Sequence, residues 1–278
     1  MTCQKPCYSR EIVPPKKRII QGLTLGSCLS LTLGCAALGK SDSFTFVPEL
    51  PPDFKYELKA IYLPAKGQTC TLAGGRNAQL GFNKLDMKYE ATSEIELYRT
   101  VEDCRVALNL VEIRVTGIFG PELSDRSSDY AVIAVRSELS DRNKRTFNAA
   151  GVGEFSGECQ WSFRTVGPKR YLIKLLTCKK MDEQGNVARG RPFTAYTLTQ
   201  LPGKTVRLKI KLSNEELPGW GDTWVQVAGG WKRCMGKGYE DQRGYCNGNY
   251  TDFSTFRMVD ERVCTIYPGC TENKDETP

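Results

Sequence analysis

The 278-residue sequence contains no histidine. That absence removes Ser-His-Asp triads, Cys-His dyads and His-ligated zinc together. Other catalytic signatures are missing too. The chain has no G-x-S-x-G elbow, no S-x-x-K dyad, no P-loop and no G-x-G-x-x-G turn. Carboxylate pairs such as Glu102-Asp103 and Glu215-Glu216 are present, but adjacent acids are too common to signal glycosidase chemistry. Helical periodicity is scarce, with Ser213-Asn214-Glu215-Glu216 before Pro218 able to cap one short turn. The net charge of +7 has no basic stripe interleaved with stacking aromatics, which argues against nucleic acid. Residues 1–35 hold five basic groups and one acid, so 34 basic and 31 acidic residues remain beyond them. A mixed surface of that kind serves solubility.

What the chain has instead is cysteine, twelve in all, and an address at its start. Lys16-Lys17-Arg18 precedes an uncharged stretch, Ile19 to Gly39. A basic region followed by an apolar one is the secretory signal pattern. The region before it is long, and a start near Val13 would account for its length. Within the apolar stretch, Leu31-Thr32-Leu33-Gly34-Cys35 resembles the bacterial lipobox. The resemblance implies a diacylglycerol on Cys35, cleavage before it, and residues 1–35 as a signal peptide with lipobox. Cleavage after Ala37-Leu38-Gly39 and an uncleaved membrane anchor are the alternatives. If Cys35 carries lipid, eight other cysteines of the mature chain are left to pair: Cys70, Cys104, Cys159, Cys178, Cys234, Cys246, Cys264 and Cys270. Eight fits four disulfides in an oxidising compartment. Their spacings include no C-x2-C knuckle, so zinc is not expected.

Residues 36–53 (AALGKSDSFTFVPELPPD) are small, polar and Pro-rich, and read as a tether. From Phe54 onward the period is two. Phe54, Tyr56, Leu58, Ala60 and Tyr62 share one face, and Val111, Ile113 and Val115 another. Phe155, Cys159, Trp161 and Phe163 do the same, as do Val206, Leu208, Ile210 and Leu212. Tyr130 to Val135 (YAVIAV) reads as a strand buried on both faces. These runs, separated by Gly, Pro, Asp and Asn turns, predict an all-β fold of the antiparallel β-sandwich type with a disulfide-stapled C-terminal segment. The expected organisation is a β-sandwich region over 54–150 and a second β region over 151–278. One hairpin has a readable register. A turn centred between Pro168 and Lys169 places Cys159 directly opposite Cys178, which predicts a disulfide between them. Cys70 and Cys104 pair by elimination, and the last four cysteines allow three connectivities.

Residues 218–256 concentrate aromatics among glycines, including Trp220, Trp224, Trp231, Tyr245 and Tyr250. They read either as the packing of a small stapled subdomain or as a partner-binding face carried by Trp220, Trp224 and Trp231. The repeated pentapeptides Glu122-Leu123-Ser124-Asp125-Arg126 and Glu138-Leu139-Ser140-Asp141-Arg142 read as polar turns at the two ends of one strand. Asn247–Asp252 offers oxygen atoms without the spacing or closing Glu of an EF-hand. No metal and no cofactor are expected. The stripe Lys204, Arg207, Lys209 and Lys211 reads as a solvated strand face, or as one that meets an anionic partner or phospholipid headgroups.

The lipobox-like LTLGC, the tether, and the segments YELKAIYLPAKGQTC and SEIELYR together resemble β-rich periplasmic lipoproteins that act as immunity partners of antibacterial phospholipase effectors. The resemblance implies a non-enzymatic inhibitor in the periplasm, anchored to a membrane through lipid and binding a protein, such as a toxin effector. A structural or assembly component of the envelope is the second expectation, and a histidine-free hydrolase using carboxylates the third. Secretion without an anchor is the alternative location.

Overall fold

Alternating residues become strands throughout the computed structural model, which describes residues 42–70, 78–82, 91–238 and 241–271. In chain order, β1 is Ser43–Glu49, β2 Phe54–Pro64, β3 Ala78–Phe82, β4 Ser93–Glu96, β5 Tyr98–Val101, β6 Cys104–Ile118 and β7 Arg126–Arg136. After a 3-10 turn at Asp141–Asn143 come β8 Val152–Val166, β9 Tyr171–Met181, β10 Val187–Ala188, β11 Phe193–Thr197 and β12 Thr205–Leu212. The last stretch holds shorter pieces: β13 Leu217–Pro218, β14 Trp224–Val227, β15 Gly230–Cys234, β16 Phe253–Ser254, β17 Phe256–Arg257, β18 Val263–Cys264 and β19 Tyr267–Pro268. The fold is all-β, with no α-helix among the described residues.

Three sheets form. The first runs β18-β17-β9-β8-β12-β1-β4, with β10 on β9 and β13 on β8. The second runs β11-β7-β6-β2-β3, with β5 on β6. The third is small, β14-β15-β16, with β19 on β15. The main core takes Phe46, Trp161 and Leu208 from the first sheet and Leu58, Ile113 and Ile133 from the second. A smaller core gathers Phe163, Leu172, Trp224, Phe256 and Tyr267 at the C-terminal end.

The expectation of purely antiparallel sheets is corrected. β1 runs parallel to β12, β12 parallel to β8, and β11 parallel to β7. Alternation determines which face of a strand is buried, not its direction. Direction is set by the connection. The chain leaves β9, crosses to the second sheet as β11 and returns as β12, and a crossover of this kind delivers a parallel neighbour.

The tether is corrected as well. Ser43–Glu49, inside the expected linker, is a strand between β12 and β4, with Phe44 and Phe46 buried. Its Pro and Ser content masked an alternation of two phenylalanines. Pro48 is accommodated because β4 pairs only with Ser43–Phe46, so the ladder on that edge has ended before the proline. The first sheet ends on β4, from 54–150, and the second ends on β11, from 151–278, and Lys40–Pro278 forms one compact unit with no boundary near residue 150. The signal-like segment and Cys35 lie outside the described residues.

Details of packing tie the sheets together. The β8–β9 hairpin takes the expected register, with Cys159 opposite Cys178 and bonded to it. Cys70 bonds to Cys104, Cys234 to Cys246 and Cys264 to Cys270. On the edge of β9 away from β8, between β17 and β10, β7 supplies side chains: Leu176 N–H donates to Ser127 Oγ (2.9 Å) and Cys178 N–H to Asp129 Oδ2 (2.7 Å). A bulge at Asn109 shifts the β2–β6 register, and Arg136 Nη1 donates to the Asn109 carbonyl (2.9 Å) and side-chain oxygen (3.1 Å). Gly117 has no side chain because the Trp161 ring fills the space, 2.6 Å from where a Cβ would stand.

Candidate recognition face

The third sheet carries two loops, 219–223 and one whose described residues are 235–238 and 241–250, that hold the exposed Trp220 and Tyr250. Gly219 N–H donates to Phe163 O (2.8 Å), which fixes the first loop to the end of β8. Thr223 Oγ1 donates to Trp220 O (2.6 Å) and tightens it. Asp222, in the left-handed region at φ 55°, then joins the loops. Its carbonyl accepts from Cys246 N–H (2.7 Å), and its carboxylate accepts from Tyr250 OH (3.0 Å) and Asn247 N–H (3.3 Å). Arg243 lays its guanidinium over the Trp220 ring, 4.7 Å from the centroid, and Nη1 donates to Tyr245 OH (3.1 Å). The Cys234–Cys246 disulfide closes the second loop. Trp220 is 39% exposed and Tyr250 54%.

Beneath this surface lies a fully buried arginine. Arg233 Nε donates to Thr165 Oγ1 (2.7 Å), and Nη1 donates to Ser254 Oγ (2.8 Å) and Cys234 O (3.0 Å). Nη2 reaches Gln242 O at 3.4 Å. Burial, then the nearby Arg170 charge, lowers its pKa to about 10, against the pull of Asp241. Burial also opposes the Asp241 charge. Amide N–H donors from Gly244, Lys237 and Tyr245, with Arg233, outweigh it and hold that carboxyl below its ordinary value. Gly244 at φ 68° lies against the guanidinium, and a Cβ there would stand 2.5 Å from Arg233 Cζ. Arg233 therefore anchors the loop from the inside while Trp220 faces out.

Of the three tryptophans expected to meet a partner, the structure leaves Trp220 open and corrects the others. Trp224 is 7% exposed, with its ring edge-on to Phe163 (5.0 Å) and Phe256 (5.2 Å). Trp231 is half-buried and packs on the same core, 6.1 Å from Phe163. Both sit on paired strands, where alternation turns them inward, whereas Trp220 stands between Gly219 and Gly221 in a loop. Tyr250 belongs to the aromatic run read from the sequence, whereas Arg243 and the buried Arg233 carry no sequence pattern that singles them out, and their roles arise from the cross-linked loop.

The remaining candidates resolve into structural parts. Arg207 pairs with Glu154 (3.0 Å) and Glu49 (3.1 Å), and Lys209 with Glu154 (2.9 Å), so half of the basic stripe is neutralised across strands. Glu216 bridges Lys174 (2.7 Å) and the Tyr267 hydroxyl, joining the first sheet to the third; burial and that carboxylate push the Tyr267 phenol far up. Asn249 Oδ1 accepts from Asp252 N–H (3.0 Å) and Thr251 N–H (3.2 Å), which engages it in its own turn. No group of three His, Cys, Asp or Glu among the described residues is placed to hold a metal. A cleft of about 300 Å³ is lined by Glu154, Asp182 and Glu183. A bond from Lys209 lowers Glu154, and backbone donation from Asn186 lowers Asp182, so neither has the raised pKa of a general acid. Comparison with protein-family models, curated proteins and solved structures found no match for this chain.

Proposed function

We propose that this chain is a non-enzymatic binding protein of the bacterial envelope. Its two larger sheets pack as a β-sandwich, and the loops bearing Trp220, Arg243 and Tyr250 form its contact face. One observation carries the reading: an exposed tryptophan, stacked by arginine, sits on loops fixed by a disulfide and a buried guanidinium. Tryptophan, tyrosine and arginine dominate binding energy at interfaces, and a surface held rigid beforehand loses less entropy on docking. The partner is a periplasmic protein, in keeping with the resemblance to immunity lipoproteins of phospholipase effectors. Lipid on Cys35 keeps the domain at the membrane such an effector attacks and raises its effective concentration there. Seven residues separate Cys35 from Ser43, so at full stretch they span no more than about 29 Å.

Cross-linking in living cells tests this. A photoreactive amino acid at position 220 of the full chain should give one discrete protein adduct, and the same group at the exposed Leu123 should not. Identical adducts from both positions, or none from 220, would reject the contact face. Mass spectrometry of the mature N-terminus tests the anchor separately: diacylglyceryl on Cys35 supports it, and a soluble chain starting at Lys40 rejects it. An envelope assembly component is the alternative role, favoured if the adduct is a resident envelope protein.

A further inference from the structure

The Trp220 face carries more hydrogen-bond donors than the chain uses. Arg243 is exposed and lies over the Trp220 ring, 4.7 Å from its centroid. Its Nη1 donates to Tyr245 OH (3.1 Å), while Nε and Nη2 meet no acceptor among the described residues. The Tyr245 hydroxyl receives that bond and keeps its own proton to donate, again with no acceptor among the described residues.

Elsewhere the chain neutralises exposed arginines itself. Arg114, Arg145, Arg257 and Arg262 each pair with a carboxylate, at 2.7 to 3.6 Å. Arg243 pairs with none among the described residues, although two acids share its loops. Both acids are engaged in holding those loops. Asp222 accepts from Tyr250 OH (3.0 Å) and Asn247 N–H (3.3 Å). Asp241 accepts from Gly244 N–H (2.9 Å) and Lys237 N–H (3.2 Å), and answers the charge of the buried Arg233. The indole beneath Arg243, the Tyr245 bond and the Cys234–Cys246 disulfide limit how far the guanidinium can move.

A planar fork of donors beside a hydroxyl proton suits a ligand that only accepts. An ionised carboxylate is such a ligand, and arginine binds it through two parallel bonds. We infer that Arg243 and the Tyr245 hydroxyl form an acid-reading subsite, on which the partner protein sets an Asp or Glu side chain. This rests on the reading of the Trp220 face as a contact surface and adds the chemistry of the epitope. Selection works largely by exclusion. In water the pair gains little, but docking strips water from the donors. A partner without the acid then leaves a guanidinium desolvated and unpaired.

The test places a photoreactive amino acid at the exposed Met235 of the full chain, in living cells. Cys234 N–H donates to Thr223 O (3.1 Å), which puts position 235 beside the Trp220 loop without replacing a member of the donor set. The unchanged chain should give one protein adduct, and mass spectrometry then identifies the cross-linked partner peptide. Arg243→Glu should cut the adduct yield at least about tenfold. Arg243→Lys should cut it about fivefold, since an ammonium keeps the charge and loses the fork. Tyr245→Phe should cut it about threefold. Each Asp or Glu of the partner peptide is next changed to Lys in turn. One such change should lower the yield with the unchanged chain and restore it with Arg243→Glu. That restoration excludes misfolding as the cause of the loss. No adduct from position 235 or 220 of the unchanged chain rejects the contact face and this inference with it, and so does an adduct with lipid in place of protein. Full yield from Arg243→Glu, or exchanges that restore nothing, overturns the acid-reading role alone.

Discussion

Two tryptophans four residues apart have opposite roles. Trp224 fills the smaller core, and Trp220 meets solvent under Arg243. Trp224→Ala should cost about 3–5 kcal/mol in urea unfolding, the range for removing a buried aromatic. Trp220→Ala should cost less than about 1 kcal/mol and act instead on partner binding. A folded, binding-competent Trp224→Ala protein would mean that the core assignment is wrong. Gly244 offers a second residue-scale test. A methyl there collides with the Arg233 guanidinium and forces a left-handed φ on alanine. Gly244→Ala should destabilise by about 2–4 kcal/mol, read by denaturation followed through tryptophan fluorescence. Gly244→Ser should do no better, since the obstacle is the Cβ itself. Glu216 belongs at this scale too. The Glu215-Glu216 pair carries no catalytic signal in the sequence, yet Glu216 holds Lys174 and Tyr267 together across two sheets.

Among the elements, β9 shows how a free edge is closed without another strand. Ser127 and Asp129 of β7 accept from its Leu176 and Cys178 amides. Asp129→Ala should leave the Cys178 N–H without an acceptor and cost about 1–3 kcal/mol, while Asp129→Asn keeps an oxygen and should recover most of that. Equal losses for the two variants in thermal unfolding would show that the charge near Arg191 matters, not the bond to β9. Such links are invisible in the sequence because they depend on how two sheets meet. What was legible is local. Alternation located β2, β6, β8 and β12 and their buried faces, and the turn at Gly167–Arg170 fixed the Cys159–Cys178 register because only a short loop intervenes. Strand direction, the insertion of β1 beside β12, and the pairing of β11 with β7 depend on contacts distant in sequence. At the recognition face, the aromatic richness that includes Trp220 and Tyr250 was legible, but which tryptophan stays exposed was not, and neither was Arg243, because a cross-linked loop brings it to Trp220.

Across the whole molecule, buried phenols make alkaline stability a measure of the assembled core. Burial raises the pKa of Tyr62 from 10.0 to about 12 and also raises Tyr196 and Tyr267. A phenol whose pKa is higher in the folded protein keeps its proton there after the unfolded chain has lost it. Its stabilising contribution is complete below the unfolded value and is lost as pH rises through the folded value. For Tyr62 the window runs from 10.0 to about 12, and the loss amounts to about 2–3 kcal/mol. Arg233 acts in the opposite direction. Its folded pKa, about 10, lies below its ordinary 12.5, so it adds stability as pH rises through that interval. Three phenols against one guanidinium leave the balance falling. The melting temperature should therefore drop steeply between about pH 10 and pH 12. Tyr62→Phe should be about 1 kcal/mol less stable near neutrality, because Tyr62 OH donates to Glu96 O (2.8 Å). Its melting temperature should then fall less steeply over the alkaline window. Parallel curves for the two proteins, measured by circular dichroism in matched salt, would show that Tyr62 ionises as freely in the fold as in the unfolded chain.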